Sequence, residues 1–168
     1  MAYTYKLIEA KTLTAPAASV TFTSIPATFT DLLIKASARD DRAGNTLTNV
    51  RLMFNASSSD FNSIRIYGNG STTSGDSTAN GDFGVEPAND ATANIFGNFE
   101  MYIPNYAGSN YKSYSTYAVS EDNASLSFST FVSGFWSQTA ALTEINIAPV
   151  SASFVAYSTF YLYGIKNS

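Results

Sequence analysis

The sequence predicts an all-β fold: a single domain over residues 1–168, built as an antiparallel two-sheet jelly-roll-like β-sandwich of roughly eight to ten strands. Three observations predict it. Apolar residues recur with period two along most of the chain, which is the pattern of a strand with one buried and one solvated face. Turn residues punctuate that alternation at short intervals. The 12 Phe and 11 Tyr suit pleated, half-buried surfaces. A closed barrel is the runner-up architecture.

The elements follow in order. Val20 and Phe22 alternate with Ser19, Thr21 and Thr23. Leu32, Ile34, Ala36 and Ala38 share one face, and Lys35, Ser37 and Arg39 the other. Val50, Leu52 and Phe54 alternate with Arg51 and Met53, and Ile64 and Ile66 with Arg65 and Tyr67. Phe99, Met101 and Ile103 alternate with Glu100 and Tyr102, and Ile145 and Ile147 with Glu144 and Asn146. In Leu126 to Trp136 the phase slips, because Leu126 and Phe128 lie on one parity and Phe131 and Phe135 on the other. A bulge near Ser129-Thr130 is expected there, since one extra residue swaps the faces. From Thr159 to Lys166 both faces are apolar. The expected core is Val20, Phe22, Leu32, Ile34, Leu52, Phe54, Ile66, Phe99, Met101, Ile103, Ile145, Ile147 and Leu162. Gln138 to Leu142 alone has helical propensity, and it is too short to stand as a helix. Residues 68–84 are nearly all Gly, Ser, Thr, Asn or Asp, and read as one long loop.

Composition argues against most chemistry. The 168 residues contain no His and no Cys. That removes Ser-His-Asp and Cys-His nucleophiles, disulfides and cysteine or histidine metal sites. The net charge is -4 and the nine basic residues are scattered, so no stripe suits phosphate or an anionic membrane surface. Nucleic acid and membrane are therefore not expected partners, and no cofactor is implied. No apolar run reaches the length of a bilayer span. Met1 to Lys6 lacks the apolar core of a signal peptide, so synthesis in a cytoplasm is expected. Lys112-Ser113 is adjacent in sequence, but on a strand the two point to opposite faces. A carboxylate pair acting on polysaccharide is the competing enzymatic reading. It would need aromatics such as Trp136 beside the acids, most of which sit in turns or at strand ends. Asp76, Asn80, Asp82, Glu86 and Asp90 are hard oxygen ligands for calcium, but they lack EF-hand spacing, and a solvated polar stretch is the better reading. No metal site is expected.

Several segments together carry a resemblance. They are Met1-Ala2-Tyr3-Thr4-Tyr5, Ser19 to Pro26, Ile66-Tyr67-Gly68-Asn69-Gly70-Ser71, Ile103-Pro104-Asn105-Tyr106-Ala107 and Ser158 to Lys166. They resemble small all-β virion structural proteins of tailed bacteriophages, of the cyanophage or aquatic phage type. The resemblance implies a virion component made in the host cytoplasm, without catalytic residues, in the head or on the tail.

The expected function is a capsid cement or decoration protein that binds the outer surface of the major capsid protein shell, and not an enzyme. A single domain without coiled-coil heptads or repeats favours this over a fibre. The alternative is a tail-fibre or tail-tip module that recognises host surface glycan. Tyr111, Tyr114, Tyr117, Tyr161 and Tyr163 are expected at a homo-oligomer interface, because Tyr is enriched at interfaces. Covering a sheet edge or core rim is the other reading of these five. The number three, for a trimer, comes from the resemblance. Asn69, Ser71, Thr72, Asp76, Asn80 and Asp82 are the expected partner-contact residues of the 68–84 loop.

Overall fold

The computed structural model describes residues 5–123 and 126–166. Twelve strands form: β1 (Tyr5–Thr12), β2 (Val20–Phe22), β3 (Asp31–Ala38), β4 (Leu47–Phe54), β5 (Phe61–Gly68), β6 (Thr73–Thr78), β7 (Asp82–Pro87), β8 (Gly97–Ile103), β9 (Lys112–Asp122), β10 (Leu126–Trp136), β11 (Ile145–Pro149) and β12 (Thr159–Ile165). There is no helix among the described residues. An eight-stranded sheet runs β1-β12-β3-β8-β9-β10-β5-β6 and a four-stranded sheet runs β2-β11-β4-β7. Their strand pairings are antiparallel. The count exceeds the expected one partly because β6 and β7 form inside and just beyond the polar stretch 68–84.

The two sheets face each other across the alternating apolar residues, which is what makes the fold a β-sandwich. Aromatic rings bridge the layers. Phe54 of β4 meets Tyr114 of β9 at 6.2 Å and Trp136 of β10 at 5.8 Å between centroids, nearly edge-on. Phe83 of β7 meets Phe99 of β8 at 5.0 Å. The expected core residues are buried, with one exception. Ile66 is 55% exposed. Phe61 and Ser63 face inward on β5, so the intervening parity, Ile64 and Ile66, faces solvent.

The expected bulge in β10 is absent. Its register runs unbroken against β9 from Leu126↔Asp122 to Trp136↔Lys112, and against β5 from Ser129↔Gly68 to Trp136↔Phe61. Thr130, Val132 and Trp136 point inward on one parity, and Phe131 and Phe135 simply occupy the outer one. The one shift found in the large sheet's pairings lies between Leu7 and Glu9 of β1, at its edge.

Two glycines allow rings to lie flat on the large sheet. Tyr114 pairs with Gly134 and covers it, so that a Cβ there would sit 2.4 Å from the Tyr114 ring. The Phe29 ring covers Gly164 in the same way, at 2.3 Å. Neither ring has room to retreat in a packed layer. Gly134→Ala is therefore expected to cost about 1–3 kcal/mol in urea unfolding, while Ser133→Ala on the outer face changes stability by less than about 0.5 kcal/mol. Equal effects at the two positions would contradict this packing.

Candidate binding face

The registers line residues of the outer face of the large sheet into rows across the strands. One row runs Ile66, Phe131, Tyr117, Glu100, Lys35, Tyr161 and Ala10. The next runs Ile64, Ser133, Ser115, Tyr102, Leu33, Tyr163 and Leu7. A water-facing sheet surface is ordinarily polar. Here Ile64 is 58%, Ile66 55%, Phe131 57% and Tyr117 42% exposed. Tyr117 and Phe131 touch at 4.8 Å between centroids, and Tyr111 lies nearly parallel to Phe135 at 6.3 Å. Tyr161 and Tyr163 stack at 6.4 Å at the other end.

Charge within these two rows is confined to one pair. Lys35 Nζ lies 2.7 Å from Glu100 Oε2. The Glu100 hydrogen bond holds the Lys35 ammonium above its ordinary pKa. Both side chains are about half exposed, so the pair adds little stability but cancels the charge of the face. Tyr102 donates to Asp31 Oδ2 at 2.9 Å, which fixes its ring and raises its phenol pKa. Two hollows open here. A cleft of about 420 Å³ is lined by Ile64, Ile66, Tyr102, Ser115, Tyr117, Phe131 and Ser133 among others. A second, of about 380 Å³, lies among Tyr5, Leu33, Lys35, Glu100 and Tyr163. Glu100 borders both.

The five expected interface tyrosines divide. Tyr111, Tyr117, Tyr161 and Tyr163 lie on or beside this face. Tyr114 does not: it is 3% exposed and packs in the core against Phe54 and Phe61. Its parity on β9 is opposite to that of Tyr117, so the strand turns it inward. The sequence reading missed Ile64, Ile66, Phe131 and Phe135 as surface groups, and gave Tyr102 the outer face without a role.

The expected 68–84 contact loop is not one loop. Asn69 Oδ1 accepts from the Ser71 and Thr72 amides at 3.0 and 2.9 Å and closes a hairpin turn, with Gly70 at φ +83°. Asp76 lies on β6 and forms two hydrogen bonds to Arg65, at 3.0 and 2.7 Å, which lower its pKa. Asn80 is exposed, whereas Asp82 is 8% exposed and paired with Arg51 at 2.9 Å. Those contacts also occupy two of the acids considered for calcium. Among the described residues, no group of three or more acidic, His or Cys side chains is placed to hold a metal ion.

Other reactive groups are engaged inside the fold. Lys112 is fully buried, donates to the carbonyls of Gly108 at 2.7 Å and of Asn110, and burial lowers its pKa. Ser113 faces out. The Arg39 guanidinium donates to the carbonyls of Asn89, Ala91, Thr92 and Ile95 at 2.7–3.1 Å and so shapes the 89–95 loop. Trp136 is 3% exposed and donates to Ser59 O at 3.1 Å. Asp40 and Glu86 form a carboxyl pair with no solvent exposure. Asp40 Oδ1 accepts from the Arg42 amide at 2.9 Å and the Thr48 hydroxyl also faces Asp40, but both Glu86 oxygens lack a donor when the pair is ionised. A proton shared between the two carboxyls supplies one. Burial raises Asp40, and burial with the neighbouring Asp40 charge raises Glu86 well above the ordinary range. Their enclosure leaves no space for a glycosidic bond between them.

No protein-family model and no curated protein matches the sequence. Solved structures resemble the fold. An exo-inulinase from Aspergillus awamori aligns at 10% identity over 96% of this chain, with a TM-score of 0.49. This chain spans 30% of that protein's length. CG-16, a homodimeric agglutinin from chicken liver, aligns at 10% identity over 84% of this chain and 98% of its own, with a TM-score of 0.34. The exoplasmic/lumenal domain of VIP36, in a Ca2+/Man3GlcNAc-bound form, aligns at 9% identity over 94% and 81%, with a TM-score of 0.33. At these identities the likeness concerns architecture alone.

The acid pair sets a pH dependence. A raised Glu86 pKa means that the folded chain keeps a proton which the unfolded chain releases. This stabilisation is complete below the ordinary Glu value of 4.5 and is lost as pH rises through the folded pKa. Glu86→Gln removes that loss. The melting temperature of Glu86→Gln minus that of wild type is expected to rise as pH is raised above the ordinary Glu value of 4.5. A difference that stays constant or falls with pH would overturn the shared-proton assignment.

Proposed function

We propose that the chain is a structural protein of a bacteriophage virion that works by binding and not by turnover, with capsid decoration as its place. The carrying observation is the outer face of the large sheet: broad, studded with exposed rings and with its central charges neutralised. Such a face suits contact with another molecular surface. The sequence resemblance to small phage virion proteins supplies the setting.

The two ends of the face suit different partners. Tyr5, Leu7, Tyr161 and Tyr163 lie toward the β1 edge, and we assign contacts with further copies or with the major capsid protein to that end. The alternative place, a tail-tip or fibre-end module, draws support from the aromatic cleft at the other end. It draws less from residues 69–82, where β6 and two ion pairs take up side chains that a glycan would need. Against a depolymerase stands the enclosure of Asp40, Glu86 and Trp136.

Copy number per particle tests the reading. Gel densitometry of purified virions is expected to give on the order of hundreds of copies, whereas about six to thirty would match tail symmetry and defeat decoration. Absence from the particle, or release of shortened polysaccharide by the purified protein, would overturn the virion-binding reading itself.

A further inference from the structure

We propose that the cleft above Ser115 and Ser133 is a binding site for a neutral oligosaccharide. This rests on the reading of the outer sheet face as a binding face, and it names what one end of that face takes. The cleft arises from the order of side chains across the strands. Ile64, Ser133, Ser115 and Tyr102 stand side by side on four consecutive strands, so two small hydroxyl residues lie between two large walls. Two residues along, Phe131 and Tyr117 form a ridge with their rings in contact at 4.8 Å. The result is a concave hollow with a hydroxyl floor and ring walls.

Its size, about 420 Å³, falls among small-molecule sites, for which roughly 300–1,000 Å³ is usual. A sugar ring matches the chemistry on both counts. Its C–H faces lie against aromatic rings, and its hydroxyl rim exchanges hydrogen bonds with serine and tyrosine hydroxyls. A flat protein partner fits less well, since it would bury the serine hydroxyls at the floor without donors or acceptors.

Electrostatics decide for a neutral ligand. Glu100 is the one charged residue lining the cleft, and Lys35, the cation beside it, is held in the ion pair at 2.7 Å. A carboxylated or sulfated sugar would find no unpaired cation in the lining and would meet Glu100 at the rim.

The test uses the intact protein and a set of defined sugars. Maltohexaose, cellohexaose, laminarihexaose, chitohexaose and mannohexaose are the neutral probes, and oligogalacturonate is the anionic one. Binding is read by saturation-transfer NMR and titration calorimetry. At least one neutral probe is expected to bind, and oligogalacturonate is not. Phe131→Ala removes a wall and Ser115→Leu fills the floor. Each is expected to weaken binding about tenfold or more while the melting temperature stays near wild type. Three results would overturn the proposal: no neutral probe binds, oligogalacturonate is preferred, or both variants bind as wild type does. A fourth is that Phe131→Ala dissolves a wild-type oligomer that binds no sugar, which would make the cleft a protein contact. Virion copy number is measured separately, so failure here leaves the virion reading standing, and the reverse also holds.

Discussion

Tyr114 lies flat over Gly134, in space that no other residue would leave open. This contact locks the pairing of β9 with β10, and β10 in turn pairs with β5 without a shift. A slip of β10 by one residue would turn Val132 and Trp136 outward and carry Phe131 and Phe135 into the core. The outer face therefore depends on a small piece of packing on the opposite side of the sheet. Side-chain parity carries the constraint from the interior to the surface.

The interior uses its polar groups structurally. Arg39 satisfies four loop carbonyls, Lys112 caps the 108–110 turn, and Tyr106 donates to Pro26 O and ties the 104–108 turn to the segment before β3. Asp31 collects the Tyr102 hydroxyl and the Asn105 amide, both at 2.9 Å. Asp40 and Glu86 face each other in the buried interior, and burial favours a proton between them. Each of these arrangements holds a loop or strand end in place, and only the Tyr102 ring among them reaches the surface. The outer face differs, for there rings, serines and one neutralised ion pair meet water.

Much of this was legible in the sequence, and the misreadings have physical reasons. Alternation located β3, β4, β8 and β11, because only one parity of each is strongly apolar. The same signal failed at Ile64 and Ile66, since apolar alternation looks alike whether it faces a core or solvent. In β10 both parities carry rings, and a bulge was the economical explanation of what is in fact an aromatic outer face. The parity of Tyr114 against Tyr111 and Tyr117 was already visible in the sequence and marks it as inward once 112–122 is a strand. β6 could not be seen, because Thr73 to Thr78 carries only Thr, Ser, Gly and Asp and has no apolar side chain to mark an alternation. The Asp40–Glu86 pair joins distant segments and leaves no local pattern.

The claim on which the functional account stands is that β10 presents Phe131, together with Tyr117 of β9, to solvent while Tyr114 and Trp136 stay enclosed. Hydroxyl-radical footprinting of the free protein, read residue by residue by mass spectrometry, tests it most directly. The account predicts rapid labelling of Phe131 and Tyr117 and protection of Tyr114 and Trp136. Protection of Phe131 with labelling of Trp136 would mean a slipped strand, and would contradict both the binding face and the cleft built upon it.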